Sequence, residues 1–337
     1  MEEKQIDLRD FIPNSETYWT QYNKAKCNEK SMFYLFLDDL CRIIQEPQHQ
    51  VGRKPVPLRD LIFCACLKIY SNYSARKISS DMRHAEKAGF IKKVPHFNSL
   101  LTFMNNPITE QLLMKLITIS AMPLKQLESD FAHDSTGFGC YQYERWMKVR
   151  FTQISENPEK LWRHFVKLHA SIGTKTNVIT AAEVTNSSIG DHRMFEPVAK
   201  VTAANFNVER YSMDKAYLSK KNMQVAQALE FIPFVPFKTN TSHKLNENGL
   251  WNRMYVYFNQ NRAEFDKHYH RRSNVETTFS MIKMRLGEFL KCRNLQGQKN
   301  EVLLKCLVHN ICCLVQETFE SGIKIDFNSC DKKYVCT

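Results

Sequence analysis

The strongest constraint on the fold is a change of apolar period near Glu128. Before it, apolar residues recur at helical spacing, as in Phe33-Tyr-Leu-Phe-Leu-Asp-Asp-Leu-Cys-Arg-Ile-Ile and Leu58-Arg-Asp-Leu-Ile-Phe-Cys-Ala-Cys-Leu-Lys-Ile-Tyr. Short breaks fall at Pro47, Pro55, Pro57, Gly89, Pro95 and Pro107. After it, the stretches 129–135, 164–172 and 177–185 read as three strands in succession, which predicts an antiparallel meander. A helix over 193–204, a strand over 208–213 that ends at Asp214, and a helix over 220–229 follow. Phe231-Ile-Pro-Phe-Val-Pro-Phe reads as a further strand, and its prolines make it an edge strand. From Gly249 onward the pattern is helical, broken near 294–298, with a last apolar helix over 302–319. The order βββαβαβα predicts an α/β protein: a mixed five-stranded sheet flanked by helices, behind an all-α N-terminal region. The expected divisions are 1–127 (helical), 128–321 (α/β) and a tail over 322–337.

Charge narrows the partners. The formal net charge is +12, which favours polyanions, nucleic acid first and an anionic membrane surface second. The cations are unevenly placed. One zone runs from Gly52 to Lys93 and includes Arg53, Lys54, Lys68, Arg76, Lys77 and Arg83; the other includes Lys267, Arg271, Arg272, Lys283, Arg285, Lys291 and Arg293. Two separated basic surfaces suit a long ligand. Within the first zone, 74–105 is helix-turn-helix-like: a helix through Ala75–Ala85, a turn around Gly89 to Pro95, and a second helix from Asn98. The same residues also suit a plain helical scaffold with solvated cations.

Eleven cysteines without a CxxC pair, several inside apolar runs, fit free buried thiols in a reducing compartment. Cys306, His309 and Cys313 share a helix face, but with Leu, Val and Ile around them and no fourth ligand nearby, core packing is the expected role. No signal peptide is evident, and no apolar run reaches the roughly 18 residues that a membrane span needs. A cytoplasmic protein without membrane contact is expected.

The densest chemistry lies in Tyr269-His-Arg-Arg-Ser-Asn-Val-Glu-Thr-Thr-Phe-Ser-Met-Ile-Lys283. At about 100° per residue, Tyr269, Arg272, Glu276 and Lys283 fall within roughly a 60° arc of one helix face. A carboxylate among a phenol, a guanidinium and an ammonium suits phosphoryl chemistry, which needs a metal-holding acid and phosphate-holding cations around one phosphodiester. The bland alternative is an exposed Arg-to-Glu helix pair. Two further acids stand at strand ends, Asp134 after the first strand and Asp214 after the fourth. If those strands are neighbours, both aspartates open at the same sheet edge, where a helix can bring Glu276. Three such carboxylates repel, so cations belong between them. Hard oxygen donors select Mg²⁺ or Mn²⁺, and a pair of such ions about 3.5–4 Å apart suits phosphodiester cleavage and transfer. His192, Lys148 and Lys175 are secondary candidates that also read as solvated loop residues, and Trp146 and Trp162 are possible stacking residues.

His133-Asp134-Ser-Thr-Gly-Phe, Met213-Asp214-Lys-Ala-Tyr and Tyr269-x2-Arg272-x3-Glu276-x6-Lys283 resemble the three catalytic segments of insertion-sequence transposases of the DDE class with the Tyr-Arg-Glu-Lys signature. Gly52-Arg-Lys-Pro-Val-Pro-Leu-Arg-Asp and Phe97-Asn-Ser-Leu-Leu-Thr-Phe-Met-Asn-Asn-Pro are similar to their helical N-terminal region, and the likeness runs from about residue 52 to 315. It implies a ribonuclease-H-like catalytic core, with Asp134, Asp214 and Glu276 holding two Mg²⁺ or Mn²⁺ ions, Asp134 bridging both. Tyr269, Arg272 and Lys283 would grip phosphates at the element's end, with Arg271, Arg285, Arg76, Lys77 and Arg83 as further DNA contacts. Only 61 residues separate Asp214 from Glu276, which leaves no room for the large β-rich insertion of some relatives. The implied partners are the terminal inverted repeats and target DNA, held by a homodimer in a prokaryotic nucleoid. A nuclease without strand transfer and a non-catalytic DNA-binding descendant remain as alternatives.

Overall fold

The computed structural model describes residues 15–48, 52, 54–140, 165–239, 241 and 249–327. Arg53, Trp146, Lys148 and Trp162 lie outside the described residues. Among the described residues, five α-helices precede the first strand: α1 (Ser15–Arg42), α2 (Leu58–Tyr70), α3 (Ser79–Lys87), α4 (Phe97–Met104) and α5 (Pro107–Ala121). Their starts follow from local chemistry. The Glu46 carboxylate accepts from the amides of Leu58 and Arg59 at the head of α2 (2.7 and 3.0 Å), and Asn106 caps α5 with Pro107 behind it. Helix α3 begins at Ser79 rather than Ala75, because 75–78 form turns.

The sheet is built from β1 (Asp130–Cys140), β2 (Phe165–Gly173) and β3 (Ile179–Asn186), an antiparallel meander as expected. Helix α6 (Phe195–Asn205) then leads to β4 (Arg210–Met213), and α7 (Lys220–Ala228) to β5 (Ile232–Phe234). Strand order is β3-β2-β1-β4-β5, with β4 and β5 parallel to β1, so the first and fourth strands are neighbours and the Pro-containing strand lies at the edge. After α8 (Leu250–Gln260), α9 (Arg262–Tyr269) and α10 (Ser273–Leu286) comes a strand the sequence did not signal. This is β6 (Phe289–Leu290), a sixth strand paired in parallel with the far end of β1. The first strand is also longer than expected. Gly137 and Gly139 extend it because the rings of Phe165 and Phe289 cover the bare backbone, each close enough to crowd an added Cβ (3.0 and 3.2 Å).

The last helix, α11 (Leu295–Glu320), is the centre of the molecule. It starts seven residues before the expected Val302, where Asn294 accepts from the Gly297 amide (2.6 Å). It packs against α1, α2, α5 and β3, so the N-terminal helices and the sheet share one hydrophobic core. In mean hydropathy, one 18-residue window of α11 would suffice to cross a membrane, which corrects the reading made from apolar runs alone. That window is 83% buried inside the protein, and it carries Lys305, His309 and Asn310 turned to internal partners. His309 hydrogen-bonds the Asn177 carbonyl (2.9 Å), lies beside Cys313 (3.4 Å), and is pulled down to about 4 by burial, as a packed core histidine would be.

Candidate active site

Strand β1 has β2 along one side, but its other side is covered only in part. The parallel neighbour β4 reaches from Asp130 to His133, and β6 covers Gly139 and Cys140. Between them, Asp134 to Phe138 face an opening that α10 crosses. Register places the first two acids there. His133 pairs with Met213 at the end of β4, so Asp134 and Asp214 each follow the last paired residue of their strands, and the charge of Asp214 acts on Asp134.

Glu276 is brought in by ties between α10 and the β2–β3 turn. Asn274 donates to the Thr174 carbonyl, and the Thr278 hydroxyl to Asn177 Oδ1 (3.2 Å). Asn177 holds that turn in the left-handed region (φ 60°), which asparagine tolerates. Glu276 lies in the first turn of α10, where the helix dipole favours a carboxylate.

Arg272 joins the pieces. One guanidinium nitrogen donates to Asp134 Oδ2 (2.8 Å) and another to Glu276 Oε1 (2.7 Å), while the Tyr269 ring lies 5.9 Å from its centre. The helix is not continuous through this motif, since 270–272 form a tight 3-10 turn between α9 and α10. Tyr269, Arg272 and Glu276 nonetheless converge. Lys283 is further along, 5.5 Å from the Phe138 ring centre.

The electrostatics fit an overcrowded acid site. Burial raises the Asp134 carboxyl above its ordinary value, and the charges of Asp214 and Glu276 push the same way. The Ser135 amide (2.8 Å) and Arg272 oppose them and do not win. Tyr269 is raised by burial and by Asp214, so it stays a neutral phenol. His133 is fully buried with neither ring nitrogen bonded and is driven to about 3, hence neutral, between the Tyr217 and Phe195 rings (4.9 and 5.5 Å).

Other expected contacts lie elsewhere. Arg271 pairs with Asp130, which also holds Arg210. Arg285 turns away from the acids to Glu29 of α1 and the Tyr70 ring (5.3 Å). Arg76, Lys77 and Arg83 are exposed around α3, with Arg76 over Phe97 (4.9 Å). His192 and Lys175 are exposed, and it is Asp191 that turns inward, to Lys167 (2.8 Å). Sequence reading passed over Tyr217. Its buried phenol is raised by burial and then by Asp134, Asp191 and Asp214, and the only signal was its place three residues after Asp214.

A family model described as transposase DDE domain matches residues 125–311, more than half of the chain. The chain belongs to this transposase family. The matched span opens just before β1 and ends within α11, so it contains all three acids and Arg272. The mixed sheet with flanking helices agrees with the ribonuclease-H-like fold expected. No solved structure matches the chain.

The donor set suits a hard divalent cation in kind: three carboxylates, of which Asp134 is raised by burial first and by the other two charges after it, with one guanidinium as counter-ion. Among the described residues, no three His, Cys, Asp or Glu side chains are drawn together as a ready metal cage. Arg272 stands between Asp134 and Glu276 instead.

Proposed function

We propose that this family member is a DNA transposase that cleaves the ends of its element and joins the freed 3′ ends to target DNA, with Asp134, Asp214 and Glu276 holding two Mg²⁺ or Mn²⁺ ions. The observation that carries the reading is the Arg272 fork between Asp134 and Glu276, with the Tyr269 ring over it and the charge of Asp214 acting on Asp134 and Tyr269. Bound there, the ions would supply Lewis-acid polarisation of the phosphodiester and charge stabilisation at the leaving oxygen. The chain's own groups do the rest. Arg272 is a resident counter-ion whose planar fork matches a phosphate as well as a carboxylate. On arrival of DNA it exchanges the acids for a phosphate, which leaves the carboxylates to the ions. Tyr269, kept neutral, donates to a second phosphate oxygen, and Lys283 supplies a point charge along the strand. Joining two ends calls for two protomers, so the working form is a homodimer on DNA.

Incubation with DNA carrying the flanking ends of its own element, with and without Mn²⁺, tests this on one gel. Nicked and joined products that require the metal are expected. Nicks without joining would reduce the protein to a nuclease, and metal-independent binding alone would make it a DNA-binding descendant.

A further inference from the structure

The two basic zones of the sequence are not fully separate in space. Lys68 near the end of α2, Arg76 before α3, and Lys291 and Arg293 before α11 line one cavity of about 650 Å³. Phe97, Ser74, Asn105 and Asn294 complete much of its wall, and among the described residues no carboxylate lines it. The start of α11 contributes as well, since Asn294 is its cap, and the positive end of a 26-residue helix dipole favours an anion there.

The cations in this cavity are not spent on each other's counter-ions. Several basic residues elsewhere pair with carboxylates: Arg59 with Asp38, Lys299 with Glu110, Arg285 with Glu29. Among the described residues, none of Lys68, Arg76, Lys291 and Arg293 pairs with a carboxylate. Arg76 lies over the Phe97 ring, 4.9 Å from its centre. Lys291 gives two protons to Asn72, at its carbonyl and its Oδ1 (both 2.6 Å). Lys68 is the telling one. The residue is 4% exposed, and its ammonium, which donates to no described residue, is not sealed away from the cavity it lines. The buried acid Glu301 accepts from the backbone amides of Lys291 and Cys292 and is not part of the described lining.

Four cations around one cavity, with no carboxylate among its described lining, leave a positive potential there that an anion would neutralise. We infer that this cavity is a second phosphate-binding site, taking a backbone phosphate of the DNA strand that the helical N-terminal region holds away from the acids. The inference rests on the transposase reading for the identity of the anion. Lys68 and Lys291 meet the phosphate oxygens, Arg293 contacts the next phosphate from the rim, and the Phe97 ring under Arg76 walls the adjoining sugar or base.

The test uses the full chain and a fluorescent 20-base-pair duplex without metal, with affinity measured against salt. Lys68→Met keeps the buried stem and removes the charge, and Arg293→Gln changes an exposed loop residue should the first variant melt early. Each lost contact is expected to lower the salt slope by about 0.9 and weaken binding about fivefold at 0.15 M salt. Wild-type slope and affinity in both variants overturn the site. A second arm uses inorganic pyrophosphate: if it raises the melting temperature of wild type but not of Lys68→Met while duplex binding is unchanged, the cavity serves a small free anion and the DNA assignment is overturned. Failure of the transposase reading is seen separately, as absence of metal-dependent nicking by wild type that binds duplex normally.

Discussion

Replacing Arg272 by Met separates a structural counter-ion from a solvated helix pair. The arm to Asp134 joins side chains only 19% and 21% exposed, so it behaves as a charge-assisted hydrogen bond, about 1.5–3 kcal/mol. The arm to Glu276 reaches a side chain 61% exposed, four residues along the helix, and contributes about 0.3–0.5 kcal/mol. The expected loss is therefore about 2–3 kcal/mol at pH 7.5 without metal. Its pH dependence has a definite sign. Asp134 is raised in the folded state by burial, with Asp214 and Glu276 adding to it, so its stability contribution is complete below the ordinary carboxylate value and lost as pH rises through the folded value. Without Arg272 the folded value climbs further, and the loss at neutral pH deepens. On acidification both proteins protonate Asp134, so the difference between them shrinks from neutrality toward the carboxylate range near 4. Urea midpoints of both proteins at pH 7.5 and 4.5, at one ionic strength, read this directly. A loss under about 0.5 kcal/mol at pH 7.5 would make Arg272 an ordinary surface pair. An equal loss at both pH values would trace the effect to packing.

Asp134→Asn is expected to abolish metal-dependent nicking while leaving duplex affinity within about threefold, by gel and by titration; unchanged nicking removes Asp134 from the chemistry. Lys283→Ala should lower the salt slope of end binding by about one phosphate contact, and a wild-type slope contradicts its phosphate role. Gly173→Ala places a Cβ 2.5 Å from Glu128 Cδ, a buried carboxylate fixed by Thr176 (Oγ1 2.7 Å). A loss of about 1–3 kcal/mol is expected in denaturant titration, and no shift would mean that Glu128 moves freely.

What the sequence disclosed followed the range of each interaction. Strand periods and the edge prolines are local, and they yielded the element order and the Arg272–Glu276 pair; the pairing of the first and fourth strands was only a condition, and Asp134, read as a strand end, lies inside β1, which runs on to Cys140. The start of α11 was missed because 295–301 carries almost no apolar period; a single cap at Asn294 begins it. The length of β1 was missed because its glycines depend on rings from Phe165 and Phe289 that only the folded sheet supplies. Arg285 had every local mark of a DNA contact, and Glu29, its partner, is 256 residues away. The same holds for Lys68 and Lys291, which belong to two zones on the chain and one cavity in space.

Helix α11 mechanically connects that cavity to the acids. Its first turn caps the cavity, and Gly297 is required there because a Cβ would strike Asn105, one of the lining residues. Two turns later the buried Lys305 donates to the carbonyls of Leu286 and Gly287 and so ends α10, the helix that carries Glu276. Another turn on, His309 and Asn310 grip Asn177 and Ile179 at the β2–β3 turn, against which Thr278 and Asn274 of α10 are seated. Helix α11 thus ties the cavity wall, the end of α10 and the β2–β3 turn into one packed unit, and Glu276 is held against the same sheet that carries Asp134.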